Sequence, residues 1–315
     1  MMTYPKLAKM RPTFRSFTGL EISEFDSPYK KVRVRYEDSE KERLARPDRE
    51  REMGGGGKFK LELRDRLLML LVYYPLYATF TLTGFLVDLD QSNVFMDIRY
   101  LESLVNECLP LPKKVQKLTR RLRTIEEVEQ FFPGFKAFVD ATEQEVPRAK
   151  KDAKKRKSHY SGKRRKHTVK TQIAVNSNGL LFQETNHARG RRHDLDIYLE
   201  YPPALPKDVE HGLDIGYDGV KNYFPELRCA VPFKRRAGGK GKRGAKAPHL
   251  TPEQKRFNEQ LLKERVVVEH TISRMKKFMI MADEFRNRLK RYDAMADTVS
   301  GLVNFRIMGT RGLLL

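Results

Sequence analysis

The sequence has no tryptophan and only two cysteines in 315 residues. Cys108 and Cys229 lie far apart and neither has a CxxC partner, which disfavours a thiolate zinc site and fits a reducing cytosol. No apolar run reaches the roughly 18 residues that a bilayer span requires. The longest surrounds Leu67 to Tyr74, and the N-terminus lacks the apolar core of a signal peptide. Acid is scarce relative to base, with 41 Asp plus Glu against 63 Lys plus Arg and a net charge of +22. That excess calls for a polyanionic partner, either nucleic acid or an anionic membrane surface. The basic runs are not on an amphipathic helix, so the membrane surface is the weaker of the two. A hydrophobic fraction of 39% is enough for a packed core, and the length suits two domains.

Residues 1–52 carry mixed charge, with Phe14, Phe17, Leu20, Ile22 and Phe25 as a small packed element and the rest expected to be mobile. Gly54–Gly57 reads as a hinge. Leu61 to Tyr74 reads as a helix with a broad apolar face, Asp65 and Arg66 outside it, stopped by Pro75. Thr79 to Val87 is a second helix. Asp90 is the N-cap of a third that starts at Gln91 and buries Val94, Ile98, Leu101 and Val105. Two short helices, a tight turn and a longer helix form a helix-turn-helix pattern, which places Gln91, Ser92 and Asn93 at a DNA groove. A plain helical bundle is the alternative. Leu109–Pro112 marks a boundary, and Ile125 to Phe132 is a short helix ended by Pro133–Gly134.

Strand signals follow at Phe135–Val139, Thr168–Val175, Leu180–Thr185, Gly212–Asp214 and Arg228–Phe233. Asp194 to Glu200 looks helical, with Asp194 suited to an N-cap, and a long helix capped by Thr251 runs from Pro252 to about Met281. Strands followed by helices indicate an α/β layered domain. The chain thus divides into an N-terminal region and hinge (1–57), a helix-turn-helix domain (58–112) and a catalytic domain (113–315). Two basic loops, 148–170 and 234–248, sit beside candidate catalytic acids. The first contains Lys163, Arg164, Arg165 and Lys166. A charge run is usually a solvated loop, but loops in this position carry cations along a phosphate track.

Asp140 ends the apolar run Phe135–Val139, Asp214 precedes Ile215-Gly216-Tyr217, and Glu269 lies on the long helix. At about 100° per residue, Arg265, Glu269 and Lys276 share one helical face. Hard divalent cations take carboxylate oxygens, and two such ions use a few carboxylates plus substrate phosphate oxygens. Two strand-end aspartates and a helix glutamate suit that chemistry on a polyanion. Singly, each has a plainer reading: Glu269 as a surface acid opposite Arg265, Asp214 as a turn former, Asp140 as a cap.

The stretches Val139-Asp140-Ala141-Thr142-Glu143, Lys163 to Thr171, His193-Asp194, Asp214 to Gly219 and Arg265 to Lys276 resemble the DDE transposases of bacterial insertion sequences, specifically the type-five group. Upstream, Phe17–Leu20, Leu63–Tyr74 and Asp90–Val94 resemble that group's leading element and helix-turn-helix. The resemblance covers most of the chain in order. It implies an α/β fold with a ribonuclease-H-like core, a mixed sheet flanked by helices, behind an all-α helix-turn-helix domain. It implies Asp140, Asp214 and Glu269 as ligands of two Mg²⁺ ions, with Mn²⁺ as substitute. Arg265 and Lys276 would hold phosphates. Related transposases carry Tyr-x2-Arg-x3-Glu-x6-Lys around the glutamate; here Arg265, Glu269 and Lys276 match, and Leu262 stands at the tyrosine position. Asp88 replaces the usual glycine of the helix-turn-helix turn and Met96 the usual arginine of its last helix. Asp194 is the rival to Asp214 for the second metal ligand. The implied function is binding of terminal inverted repeats in double-stranded DNA, cleavage at transposon ends and joining of the 3′-OH to target DNA. The implied enzyme is a homodimer or larger on DNA, in the bacterial cytoplasm with the nucleoid. The alternative is a domesticated, catalytically silent transposase that only binds DNA.

Overall fold

The computed structural model of the chain describes residues 1–45, 59–235 and 249–311. By its contacts the chain divides at Leu111, and the C-terminal pieces Met275–Asp283 and the stretch from Ala294 on belong with the N-terminal unit.

The N-terminal unit is helical from the start: α1 (Tyr4–Ala8), α2 (Arg11–Thr18), α3 (Ile22–Leu44), α4 (Leu63–Leu76), α5 (Phe80–Val87) and α6 (Gln91–Cys108). As far as Leu44, the residues expected to be mobile around the Phe14–Phe25 element are therefore largely helical. Gly19, left-handed at φ 71°, ends α2, and a capping box of Glu21 and Glu24 starts α3. Tyr4, Phe14 and Phe25 pack with ring centroids 4.8 to 5.9 Å apart. The Gly54–Gly57 hinge lies outside the described residues. Helix α4 is buried all round from Arg66 to Pro75, so its apolar surface has no outer face. Two expectations fail here. Pro75 lies inside the helix, which ends at left-handed Tyr77, and Arg66 is buried because Asp97 on α6 pairs with it. Thr79 caps α5 and Asp90 caps α6. Between them, Asp88 adopts φ 58°, the left-handed conformation for which glycine is best suited. Gly84 is required there, since a Cβ would stand 2.3 Å from the Leu89 carbonyl oxygen.

The second unit adds α7 (Pro112–Thr119), α8 (Ile125–Phe131), α9 (Ala153–His159), α10 (Asp194–Glu200) and most of α11 (Pro252–Lys276) around one sheet. The chain ends through α12 (Met279–Ala282) and α13 (Tyr292–Arg311). The long helix is thus shorter than expected and breaks before Met279. The strands are β1 (Lys136–Glu145), β2 (Tyr160–Ser161), β3 (Lys166–Asn176), β4 (Leu181–Glu184), β5 (Ala188–Arg189), β6 (Glu210–Gly212) and β7 (Cys229–Ala230). The order is β2-β3-β1-β6-β7, with β4 and β5 also paired to β3. β3 is antiparallel to β1, β2, β4 and β5, while β1, β6 and β7 run parallel. Gly212 lets β6 approach β1, because a Cβ there would meet the Phe138 ring at 2.5 Å. The first basic run is not a loop: it contains α9, β2 and the start of β3, and Lys163, Arg164 and Arg165 form the hairpin tip, with Arg165 at φ 55°. Most of the second run lies outside the described residues.

Candidate active site

Strand register brings Asp140 and Asp214 together. The parallel pairing of β1 with β6 ends at Phe138↔Gly212. Asp140 and Asp214 are each two residues beyond that pair. With a side-chain period of two, both start from the same face, where the strands part. The crevice outside the carboxyl ends of parallel strands is the usual ligand position of an open α/β sheet. Asp140 is not at a strand end as expected. β1 continues to Glu145 because β3 pairs with it over its whole second half, with Asp140 opposite Ile173.

Arg265 of α11 closes the pair. Its Nη1 lies 3.2 Å from Asp214 Oδ1 and its Nη2 3.6 Å from Asp140 Oδ2. Its side chain is buried, and its Nε has no hydrogen-bond partner among the described residues. Burial pushes the Asp140 carboxyl up to about 6. The Arg265 guanidinium and the Ala141 backbone N–H draw it back down, and the Asp214 and Asp194 charges add to the rise. Tyr217 also lines this region. Burial holds its hydroxyl well above the ordinary phenol range, with the Asp140 and Asp194 charges adding, and it has no hydrogen-bond partner among the described residues.

A second ionic cluster borders the first. Lys170 on β3 places its Nζ 2.9 Å from Asp194 Oδ1, 3.5 Å from Glu143 Oε1 and 2.9 Å from the Arg192 carbonyl oxygen. Asp194 is therefore not the N-cap of α10. His193 occupies that position, and the Asp194 carboxylate is drawn to Lys170 instead. Gly216 admits it, since a Cβ there would stand 3.1 Å from Asp194 Oδ2. Sequence reading missed Lys170, Glu143 and Tyr217. The available signal was a lysine inside the apolar alternation of Thr168–Val175, a position that stays charged only with buried acids beside it.

The other expected residues are dispersed. Glu269 follows Arg265 by one turn, exposed, and among the described residues no three His, Cys, Asp or Glu side chains form a metal-holding group. Lys276 is the last residue of α11, half-buried, and Leu262 is exposed. Lys163, Arg164, Arg165 and Lys166 are exposed, with Lys166 paired to Glu145. The hairpin is remote: Lys166 lies seven residues along β3 from Ile173, about 23 Å at 3.3 Å per residue. Gln91, Ser92 and Asn93 are exposed on the first turn of α6. Two carboxylates facing one buried cation, beside an unpartnered hydroxyl, form an oxygen-rich set that suits a hard divalent ion.

The family described as DDE superfamily endonuclease matches residues 139–304, a span that holds Asp140, Asp214, Arg265 and Glu269. The chain is similar to a curated protein of Microchaete diplosiphon, the probable transposase for insertion sequence element IS702. The two are 26% identical over 268 residues, which cover 84% of this chain and 88% of that one. No solved structure matches the chain.

Proposed function

Because this chain belongs to the DDE superfamily endonucleases, we propose that it is the transposase of a type-five bacterial insertion sequence. In this reading it binds the terminal repeats of its element in double-stranded DNA, cleaves at their ends and joins the freed 3′-OH to target DNA. One observation carries the proposal: Asp140 and Asp214 stand in register where β1 and β6 part, under the guanidinium of Arg265. The similarity to the IS702 transposase supports it over most of the chain. The sheet supports a ribonuclease-H-like core, because β4, β3, β1, β6 and β7 follow one another with β3 alone running against the rest. The capped helices α5 and α6, joined by the tight turn at Asp88, support a helix-turn-helix with Gln91, Ser92 and Asn93 presented to DNA.

Asp140, Asp214 and Glu269 would hold two Mg²⁺ ions, or Mn²⁺, which when bound supply activation of the attacking oxygen and stabilisation of the leaving one. Glu269 is on the α11 face that carries Arg265, about 6 Å further along the axis. Arg265 keeps two neighbouring carboxylates tolerable in the absence of other cations. Its fork of donors would also suit a substrate phosphate. Lys276, Lys163, Arg164, Arg165 and Lys166 are further phosphate contacts, and pairing of two ends calls for a homodimer or larger assembly on DNA.

Asp140→Ala should abolish cleavage of labelled end DNA in Mg²⁺ while end binding persists. Undiminished cleavage by that variant sinks the assignment. Nicked product without joined strands would mark a plain nuclease, and wild-type binding without cleavage in Mg²⁺ a catalytically silent DNA-binding protein.

A further inference from the structure

A groove of about 880 Å³ opens on the second unit among α9, β5 and α10. Five of its lining residues are Lys or Arg (Lys154, Lys157, Arg189, Arg191 and Arg192), against two acids, Asp196 and Glu200. Arg192 engages Glu200 and donates to the Asp196 carbonyl, which removes one cation and one acid from the balance. Lys154, Lys157, Arg189 and Arg191 are exposed and have no acidic partner within ion-pair distance among the described residues. Four unpaired cations on one concave surface repel one another, and the contact that relieves this is an extended anion.

The position of the groove identifies that anion. Arg189 pairs with Val169 on β3, four residues from Ile173, the partner of Asp140. At 3.3 Å per residue along β3 and about 4.8 Å to each flanking strand that is about 16 Å, the length of about five phosphates along a DNA strand. The hairpin tip is about half as far again. The groove wall is also tied to the site, because Lys170 Nζ donates to the Arg192 carbonyl and to Asp194. We propose that this groove carries the phosphate backbone of the DNA duplex flanking the phosphodiester to be cut, as a sequence-independent clamp. It rests on the transposase reading and adds residues from outside the basic runs, Arg189 and Arg191 above all.

The test uses the full-length protein and a fluorescent duplex of arbitrary sequence, titrated at several salt concentrations. Arg189→Ala with Arg191→Ala should weaken binding and flatten the log–log salt slope by about 1.8, at about 0.9 per lost phosphate contact. The loss should be equal on a second, unrelated duplex. Arg189→Lys with Arg191→Lys, which keeps both charges, should restore the slope. Wild-type binding with an unchanged slope in the alanine variant overturns the groove proposal alone, and failure of the wild type to bind any duplex overturns the transposase reading as well. Loss of polyglutamate binding with intact DNA binding overturns the proposal in favour of an acidic protein partner.

Discussion

Arg66 and Arg265 are both buried and both paired with aspartate, and they differ in how completely they are satisfied. Arg66 gives Nε and Nη2 to the two oxygens of Asp97 at 3.0 and 2.8 Å and Nη1 to the Tyr36 hydroxyl at 2.9 Å. Its guanidinium also lies 3.9 Å from the Phe59 ring centroid. Arg265 reaches two separate aspartates, at 3.2 and 3.6 Å, and leaves Nε without a partner. A fork-to-fork pair in which all three guanidinium nitrogens donate is a finished structure. A guanidinium stretched between two carboxylates, each with oxygen capacity to spare, is a counter-ion that another cation can displace. Burial alone does not distinguish the two arginines; the set of filled donors does.

The largest effect expected from this contrast is on Asp97. Asp97→Ala strands the Arg66 charge inside the helical unit, and urea unfolding should show a loss of about 3–5 kcal/mol. Arg66→Met with Asp97→Leu, which removes both charges, should recover much of it. A loss below about 1 kcal/mol in the single variant would mean that Arg66 is not a structural pair and that the contrast is empty.

His211 is a second buried group with its partner in place, and pH tests it. Its Nδ1 lies 2.7 Å from the Tyr198 hydroxyl, and burial pushes its imidazole down to about 4 from an ordinary 6.5. The folded pKa is below the unfolded one, so the unfolded chain binds more protons between these values. Stability is therefore lost as pH falls from 6.5 towards 4, by about 3 kcal/mol over the window. Asp140 works the other way: its folded pKa, about 6, is above its unfolded one, so its penalty grows as pH rises. An Asp140→Asn background removes the opposing Asp140 contribution from urea midpoints taken from pH 4 to 7, and adding His211→Gln should then reduce the slope to the smaller part left by His159, whose imidazole burial also lowers. A slope left unchanged by His211→Gln would assign it to another group.

Local features of this fold were legible because their causes are local. Asp90 and Thr251 cap their helices through side-chain oxygens a few residues from the amides they accept, and the alternation of Thr168–Val175 is the pleat of β3. The features that escaped depend on distant partners. Asp65 and Arg66 look alike on a helical wheel, and only Asp97, 31 positions from Arg66, makes Arg66 a core residue. Asp140 closes an apolar run, but β1 continues because β3 offers it an equally long partner. The approach of Asp140 to Asp214 needs the β1–β6 register, in which Lys136 meets Glu210 across a long stretch of chain. The acids were therefore readable as types at suggestive places, while Arg265 as their shared counter-ion and Lys170 as the anchor of Asp194 were not.

The smallest structural effect belongs to Asp214, and it is the sharpest test of the contrast. The Asp214 side chain is 41% exposed, so solvent screens its attraction to Arg265. Asp214→Asn should change unfolding free energy by no more than about 1 kcal/mol. If the pair holds metal as proposed, Mg²⁺ should raise the wild-type melting temperature, by the equivalent of about 2.7 kcal/mol at one hundred times the dissociation constant, and the same substitution should remove that rise. A small stability change with loss of the metal response places Arg265 among residues held ready for substrate. If Asp214→Asn instead costs as much as Asp97→Ala and leaves the metal response intact, then Arg265 is a second structural arginine, and the two aspartates are its partners rather than ligands in waiting.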